Sequence, residues 1–189
     1  MNNTTHRKGA RPSWLRALGT RFVRNRDGAT AMEFTLLAIP FSLLVFAILE
    51  SCISFAGQQV LSNAADDIAR KLRTGTIKAG DLNEAKLKDL VCDQLEIIVT
   101  TGCPGLLVDL RQYASFADAA KVKIKITAND IDTTGFDVKP GPSMSKNMLR
   151  VFYKWPVMTD FMRSSMSNLE GGKTLHFAAV TWQNEPFDD

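Results

Sequence analysis

With 189 residues, 45% of them hydrophobic and 23% charged, the chain holds enough apolar material for one compact domain plus appendages, which excludes collagen-like and disordered classes. The formal net charge of +3 conceals an uneven distribution, because residues 1–27 carry seven cations (Arg7, Lys8, Arg11, Arg16, Arg21, Arg24, Arg26) against the single acid Asp27. A basic head of this kind either binds nucleic acid or lies against an anionic membrane, and the adjoining residues decide between the two.

Those residues are apolar. Residues 29–57 contain only Glu33 and Glu50 as charges, and residues 34–49 contain none. Sixteen residues at ~1.5 Å rise cover roughly 24 Å of a hydrocarbon layer ~30 Å thick, so a helix counted from Ala29 draws Glu33 into the span. Cations crowd one flank only, which by the positive-inside rule predicts a cytoplasmic leader over residues 1–28, a transmembrane helix over 29–57 and an extracytoplasmic domain over 58–189. A cleaved secretory signal is the competing reading, since Ser54-Phe55-Ala56 before Gly57 is a small-x-small site. The long apolar core, and Glu50 just ahead of that site, favour a retained helix. Pro40 lacks an N–H and withdraws the helical bond from the Leu36 carbonyl, so a kink or local loosening is expected there. Glu50 reads as an ordinary interfacial carboxylate, and Cys52 as a small apolar filler.

Beyond Gly57 the helical pattern continues without a break. Val60 or Leu61, Ala64, Ala65, Ile68 and Leu72 recur at three- and four-residue spacing, and Arg70, Lys71 and Arg73 gather ahead of Gly75, so the helix is expected to end near Arg73. Asp81 as N-cap, with Glu84 three residues on, predicts a second helix whose buried stripe is Leu87, Leu90, Val91, Leu95 and Ile98. The turn formers of residues 100–105 end it. Cys92 and Cys103 flank that turn, and an oxidising compartment lets them pair; two unrelated thiols are the alternative.

From residue 106 the period changes to two. Residues 106–115 alternate Val108, Leu110 and Gln112 with Asp109 and Arg111, while Val122, Ile124 and Ile126 alternate with Lys121, Lys123 and Lys125; both predict strands with one face wet. Residues 128–147 read as a long polar loop, mobile or partner-binding. Residues 148–155 predict a third strand stopped by Pro156, residues 159–168 a short helix or turn, and residues 173–182 a last strand. The expected fold class is α+β: a long N-terminal transmembrane helix extending into a small periplasmic domain with a second helix and a three- to four-stranded antiparallel sheet.

Residues 24–34, Arg-Asn-Arg-Asp-Gly-Ala-Thr-Ala-Met-Glu-Phe, are the most informative stretch. A basic leader ends in Gly28, and four small or apolar residues precede Glu33-Phe34, which open an apolar helix containing Pro40 and closing at Glu50. Here the chain resembles the TadE-like family of tight-adherence (Flp-type) pilus assembly proteins, within the type IV pilin-like group. The resemblance continues through Gln58-Gln59, Asn63-Ala64-Ala65, the Cys92/Cys103 pair, Val108-Asp109-Leu110-Arg111, Tyr153-Lys154-Trp155-Pro156 and Asn184-Glu185-Pro186-Phe187. It implies a minor pilin-like (pseudopilin) component, inserted in the bacterial inner membrane and associated with an adhesion pilus. It further implies that a membrane-embedded aspartyl prepilin peptidase cuts after Gly28, held in an extended segment, and that the new amino group of Ala29 pairs with Glu33 of an adjoining subunit. Its partners would be other pilin-like subunits and the assembly platform proteins of the same system. Physics supports the assignment of Glu33, because a carboxylate inside a membrane helix costs a few kcal/mol and calls for a partner. The plainer alternative makes Glu33 a snorkelling interfacial residue and Gly28 a helix boundary.

Other classes find little support. The two histidines, His6 and His176, have no neighbours that build a triad, and no metal-ligand spacing occurs. Gly171-Gly172-Lys173-Thr174 lacks the earlier glycine of a phosphate loop. No enzyme activity, cofactor or small-molecule substrate is therefore expected, and Lys121, Lys123 and Lys125, without interleaved aromatics, read as a solvated face and not a nucleic-acid track. The remaining rival is a membrane-tethered binding domain that is never processed.

Overall fold

The computed structural model describes residues 27–188; the basic leader up to residue 26 lies outside the described residues. The helices are α1 (Asp27–Arg73), α2 (Glu84–Leu95), α3 (Phe116–Ala120) and α4 (Asp160–Met166). The strands are β1 (Leu106–Tyr113), β2 (Ile126–Thr127), β3 (Asp130–Ile131), β4 (Val138–Lys139), β5 (Lys146–Pro156) and β6 (Lys173–Gln183). Two compact units divide the chain, one ending at Phe46 and the other running Ala47–Asp189.

In the first unit the described residues are all helical, and the helix assignment runs through Pro40. Thr35 returns its hydroxyl to the Ala31 carbonyl at 2.8 Å, a back-bond that keeps a polar group satisfied without solvent.

The second unit begins with the rest of α1. This helix stops where Gly75 takes φ 72° and its N–H donates to the Leu72 carbonyl. A side chain at Gly75 would meet the Phe187 ring at 2.7 Å, so the same glycine also admits the C-terminal segment. Asn83, not Asp81, caps α2, accepting the Lys86 N–H at 2.9 Å; Asp81 instead closes a single 3-10 turn, Ala79–Asp81. Leu87, Val91 and Leu95 form the buried stripe of α2, with Leu90 and Ile98 partly buried beside it. Cys92 and Cys103 are joined in a disulfide, and the turn between them is fixed by Glu96, which accepts the Gly102 N–H at 2.9 Å.

The main sheet has the order β4-β1-β5-β6. β1, β5 and β6 are antiparallel neighbours, but β4 joins β1 in parallel through Leu110↔Val138 and Arg111↔Lys139, so the sheet is mixed and not purely antiparallel as expected. One sheet face presents Leu106, Val108, Leu110, Leu149, Val151, Tyr153, Trp155, Ala178 and Trp182 to the stripe Leu61, Ala64, Ala65, Ile68 and Leu72 of α1 and to α2. The other face is not wet where β1 meets β5, although Ala179, Thr181 and Gln183 of β6 are exposed. Asp109 is fully buried and receives Arg150 Nε at 2.9 Å and Nη2 at 2.7 Å, and Phe136 stacks on Phe152 at 5.3 Å above them.

Residues 128–147 are tied down along that face. The Asp137 N–H donates to Asp109 at 3.0 Å, the Leu110 N–H to the Asp137 carbonyl at 2.8 Å, and the Gly141 N–H to Asn147 at 2.8 Å. The strand expected over Lys121, Lys123 and Lys125 does not form. Only Ile126–Thr127 pairs, with Asp130–Ile131, across a two-residue turn in which Ala128 and Asn129 both have positive φ.

Candidate functional site

The residues singled out from sequence fall on α1. Gly28 is helical rather than extended, because the helix formers after it (Ala29, Ala31, Met32) carry the first turn back to Asp27. Among the described residues nothing stands within 4 Å of the position a Gly28 side chain would take. Ala29 and Glu33 are four residues apart and hence on one helix face, with Phe34 beside them, and both Glu33 and Phe34 are exposed. Pro40 lies among Leu36, Leu37, Ile39, Phe41, Leu43, Leu44 and Phe46, all exposed. Gly28–Arg73 is a helix long and apolar enough to cross a membrane.

At Ala47 the same helix enters the second unit, where one of its faces meets the sheet domain. Glu50, 6% exposed, accepts the Met158 N–H at 2.5 Å, the Thr159 N–H at 3.3 Å and the Thr159 hydroxyl. The carboxylate thus serves as the missing N-cap of α4, whose own cap residue Thr159 makes no side-chain cap bond. One turn on, the Ser54 hydroxyl shares a hydrogen bond with His176 Nε2 at 3.0 Å. Burial pulls His176 down to about 4, so the imidazole is neutral there and stacks on Trp155 with ring centroids 4.9 Å apart. Gly57 then faces the Trp155 ring so closely that an added side-chain carbon would stand 2.5 Å from it.

Gln58 completes the seat. Its amide donates to the Phe177 carbonyl at 2.8 Å and accepts the Phe177 N–H at 3.0 Å, imitating one residue pair of a neighbouring strand. β6 is the outermost strand of its sheet, and a side-chain amide that occupies an edge pair removes it from mispairing with another chain.

Composition gave no warning of this seat. Glu50 read as interfacial, His176 as unaccompanied and Ser54 as part of a cleavage site. The signal was there in spacing: residues 50, 54 and 57 continue the register of Leu61, Ala64, Ile68 and Leu72 backwards, in polar and small residue types that a hydrophobic pattern does not count. Cys52, by contrast, is a free, exposed thiol on the outward side of the helix.

In comparison with known proteins, residues 28–70 fit the family model described as TadE-like protein. It takes in Gly28, Ala29, Glu33, Phe34, Pro40 and all four helix residues of the seat, and ends short of the cysteine pair and the strands. No curated protein and no solved structure matches the chain.

Proposed function

We propose that this chain, whose residues 28–70 are similar to TadE-like proteins, is a minor pilin-like component of a tight-adherence pilus assembly system, with no enzymatic role of its own. It sits in the inner membrane with its basic leader in the cytoplasm and its sheet domain in the periplasm. A prepilin peptidase removes the leader after Gly28, and the helix that then begins at Ala29 bundles with those of sister subunits on the assembly platform. The observation that carries this reading is the exposure of every large apolar side chain from Met32 to Phe46, in a helix that also contains Glu33. Such a surface is stable only against lipid or against other helices. A buried partner for Glu33 in that company is a cation, and the amino group freed at Ala29 of a neighbouring copy supplies one in a medium where the pair is strong.

The signal-peptide alternative fares worse, because cleavage before Gly57 would discard Glu50 and Ser54, both hydrogen-bonded to the domain. Sequencing the mature N-terminus in cells with and without the peptidase tests the reading. Ala29 is expected with the peptidase and the intact leader without it, while Met1 in both would leave an anchored, unprocessed domain. Gly28→Arg should block processing, and Glu33→Ala should permit processing but spoil assembly; normal pili from both variants would defeat the proposal.

A further inference from the structure

α4 and the residues leading into it carry an apolar surface that the core does not use. Met158 is 62% exposed and Phe161 64% exposed, three residues apart, while Val157 between sheet and helix is buried. Both ends of this segment are held to α1 at a single level. Glu50 binds the Met158 and Thr159 N–H groups at its start, and the Ser51 hydroxyl lies 3.9 Å from Met166 Sδ at its end. Residues 50 and 51 come directly after the uncharged run of residues 34–49. The segment is therefore fixed beside the helix at the height where the apolar run stops.

A second observation points the same way. On the side of α1 turned away from the domain, apolar exposure does not stop at Glu50: Ile53 is exposed, and Phe55 is 75% exposed. Five residues of helix correspond to roughly 8 Å along the axis, about the depth of the headgroup and upper acyl region in which amphipathic segments lie.

We propose that residues 157–166 are an interfacial membrane anchor, in which Met158 and Phe161 enter the outer boundary of the bilayer beside α1 and hold the domain down on the lipid surface. This rests on the reading of α1 as a membrane span. The occupant is lipid because the apolar pair is fixed to the helix at the end of its uncharged run, and because Phe55 extends the same apolar zone around it.

The test uses the full chain with Cys52→Ser, reconstituted into phosphatidylcholine and phosphatidylglycerol vesicles. Single nitroxide labels are placed through Met158→Cys, Phe161→Cys, Phe46→Cys and Ile97→Cys, and their collisions with oxygen and with a water-soluble nickel chelate are measured. Ile97 is 81% exposed, and Gln94 just before it is bonded to Asp67, seventeen residues or about 25 Å beyond Glu50, so it serves as the aqueous reference. The expected result is an oxygen-to-nickel ratio highest at position 46 and several-fold higher at 158 and 161 than at 97. If 46 lies in lipid while 158 and 161 match 97, the span stands and the anchor is overturned. Labels at 158 and 161 that neither reagent reaches would mean a protein cover, and would overturn it as well. A nickel-accessible 46 would remove the span itself, and the anchor with it.

Discussion

Gly57→Ala sets two effects of opposite sign against each other. Inside a helix, alanine is favoured over glycine by about 1 kcal/mol, so on propensity alone the substitution stabilises. The added carbon, however, would stand 2.5 Å from Cζ3, 2.9 Å from Cη2 and 3.0 Å from Cε3 of Trp155. Carbon atoms in contact sit at about 3.5–4.0 Å, so helix and ring must part by about 1 Å. Trp155 has nowhere to go: it is 3% exposed, stacked on His176 and set edge-on to Tyr153 at 6.2 Å. Moving the helix instead stretches the Ser54 bond to His176 and both Gln58 bonds to Phe177. Overpacking costs about 1–3 kcal/mol and each weakened hydrogen bond about 0.5–1.5 kcal/mol, so the net after propensity is a loss of about 2 kcal/mol. For a domain of this size that lowers the unfolding midpoint by about 6 °C. Thermal unfolding of the full chain in detergent, followed by near-ultraviolet circular dichroism, reads it, and Gly57→Leu should fall further. A Gly57→Ala protein that melts at or above the parent temperature would show that α1 is not seated on Trp155.

Two further outcomes probe the domain. Arg150→Met takes two of the hydrogen bonds from the fully buried Asp109, leaving it the Arg111 Nη2 at 3.2 Å and the Asp137 N–H at 3.0 Å, and should cost about 3 kcal/mol in the same melts; a change below about 1 kcal/mol would contradict the burial of that pair. His176 is held at about 4 in the folded domain against about 6.5 in the unfolded chain, so its contribution is complete above the unfolded value and is lost as pH falls towards 4, where only the unfolded state has already taken the proton. Stability measured from pH 7 to pH 4 should decline by up to about 3 kcal/mol more in the parent than in His176→Gln, and equal slopes would refute the assignment.

The elements that were legible in the sequence were those whose signals are local. The end of α1 announced itself through Arg70, Lys71, Arg73 and Gly75, and β5 through the strand-forming run of residues 148–155 ahead of Pro156. The features that escaped depend on pairs distant in sequence. Asp109 read as a wet position because one strand was considered alone; its register partner across β5 is Arg150, and the loop carrying Phe136 closes over both. Lys121, Lys123 and Lys125 alternate with apolar residues as a strand would, yet the edge of β1 is already taken by Val138–Lys139, which leaves that pattern no sheet to join. The polar composition of residues 128–147 concealed how many of its N–H groups find acceptors on β1 and β5. The helix residues proposed to act in processing and assembly were singled out for the opposite reason: Glu33 and Pro40 stand in a plain apolar background where any departure is visible, and Gly28 closes the basic leader ahead of it.

The seat at residues 50–58 bears on why the helix and the domain act as one part in the proposed assembly. A domain hung on a helix by a flexible linker leaves the helix free to bundle while the domain tumbles. Here residue types that do not contribute hydrophobic burial do the fixing: a carboxylate that caps α4, a hydroxyl on a neutral imidazole, a glycine under an indole and an amide in an edge-strand pair. Each is directional, and together they reach α4, β5 and β6, so rotation about the helix axis breaks all of them together. If α1 packs against sister helices as proposed, these contacts carry its orientation about the axis over to the sheet. A helix meant only as an anchor has no need of four such contacts in its first nine residues beyond the uncharged run.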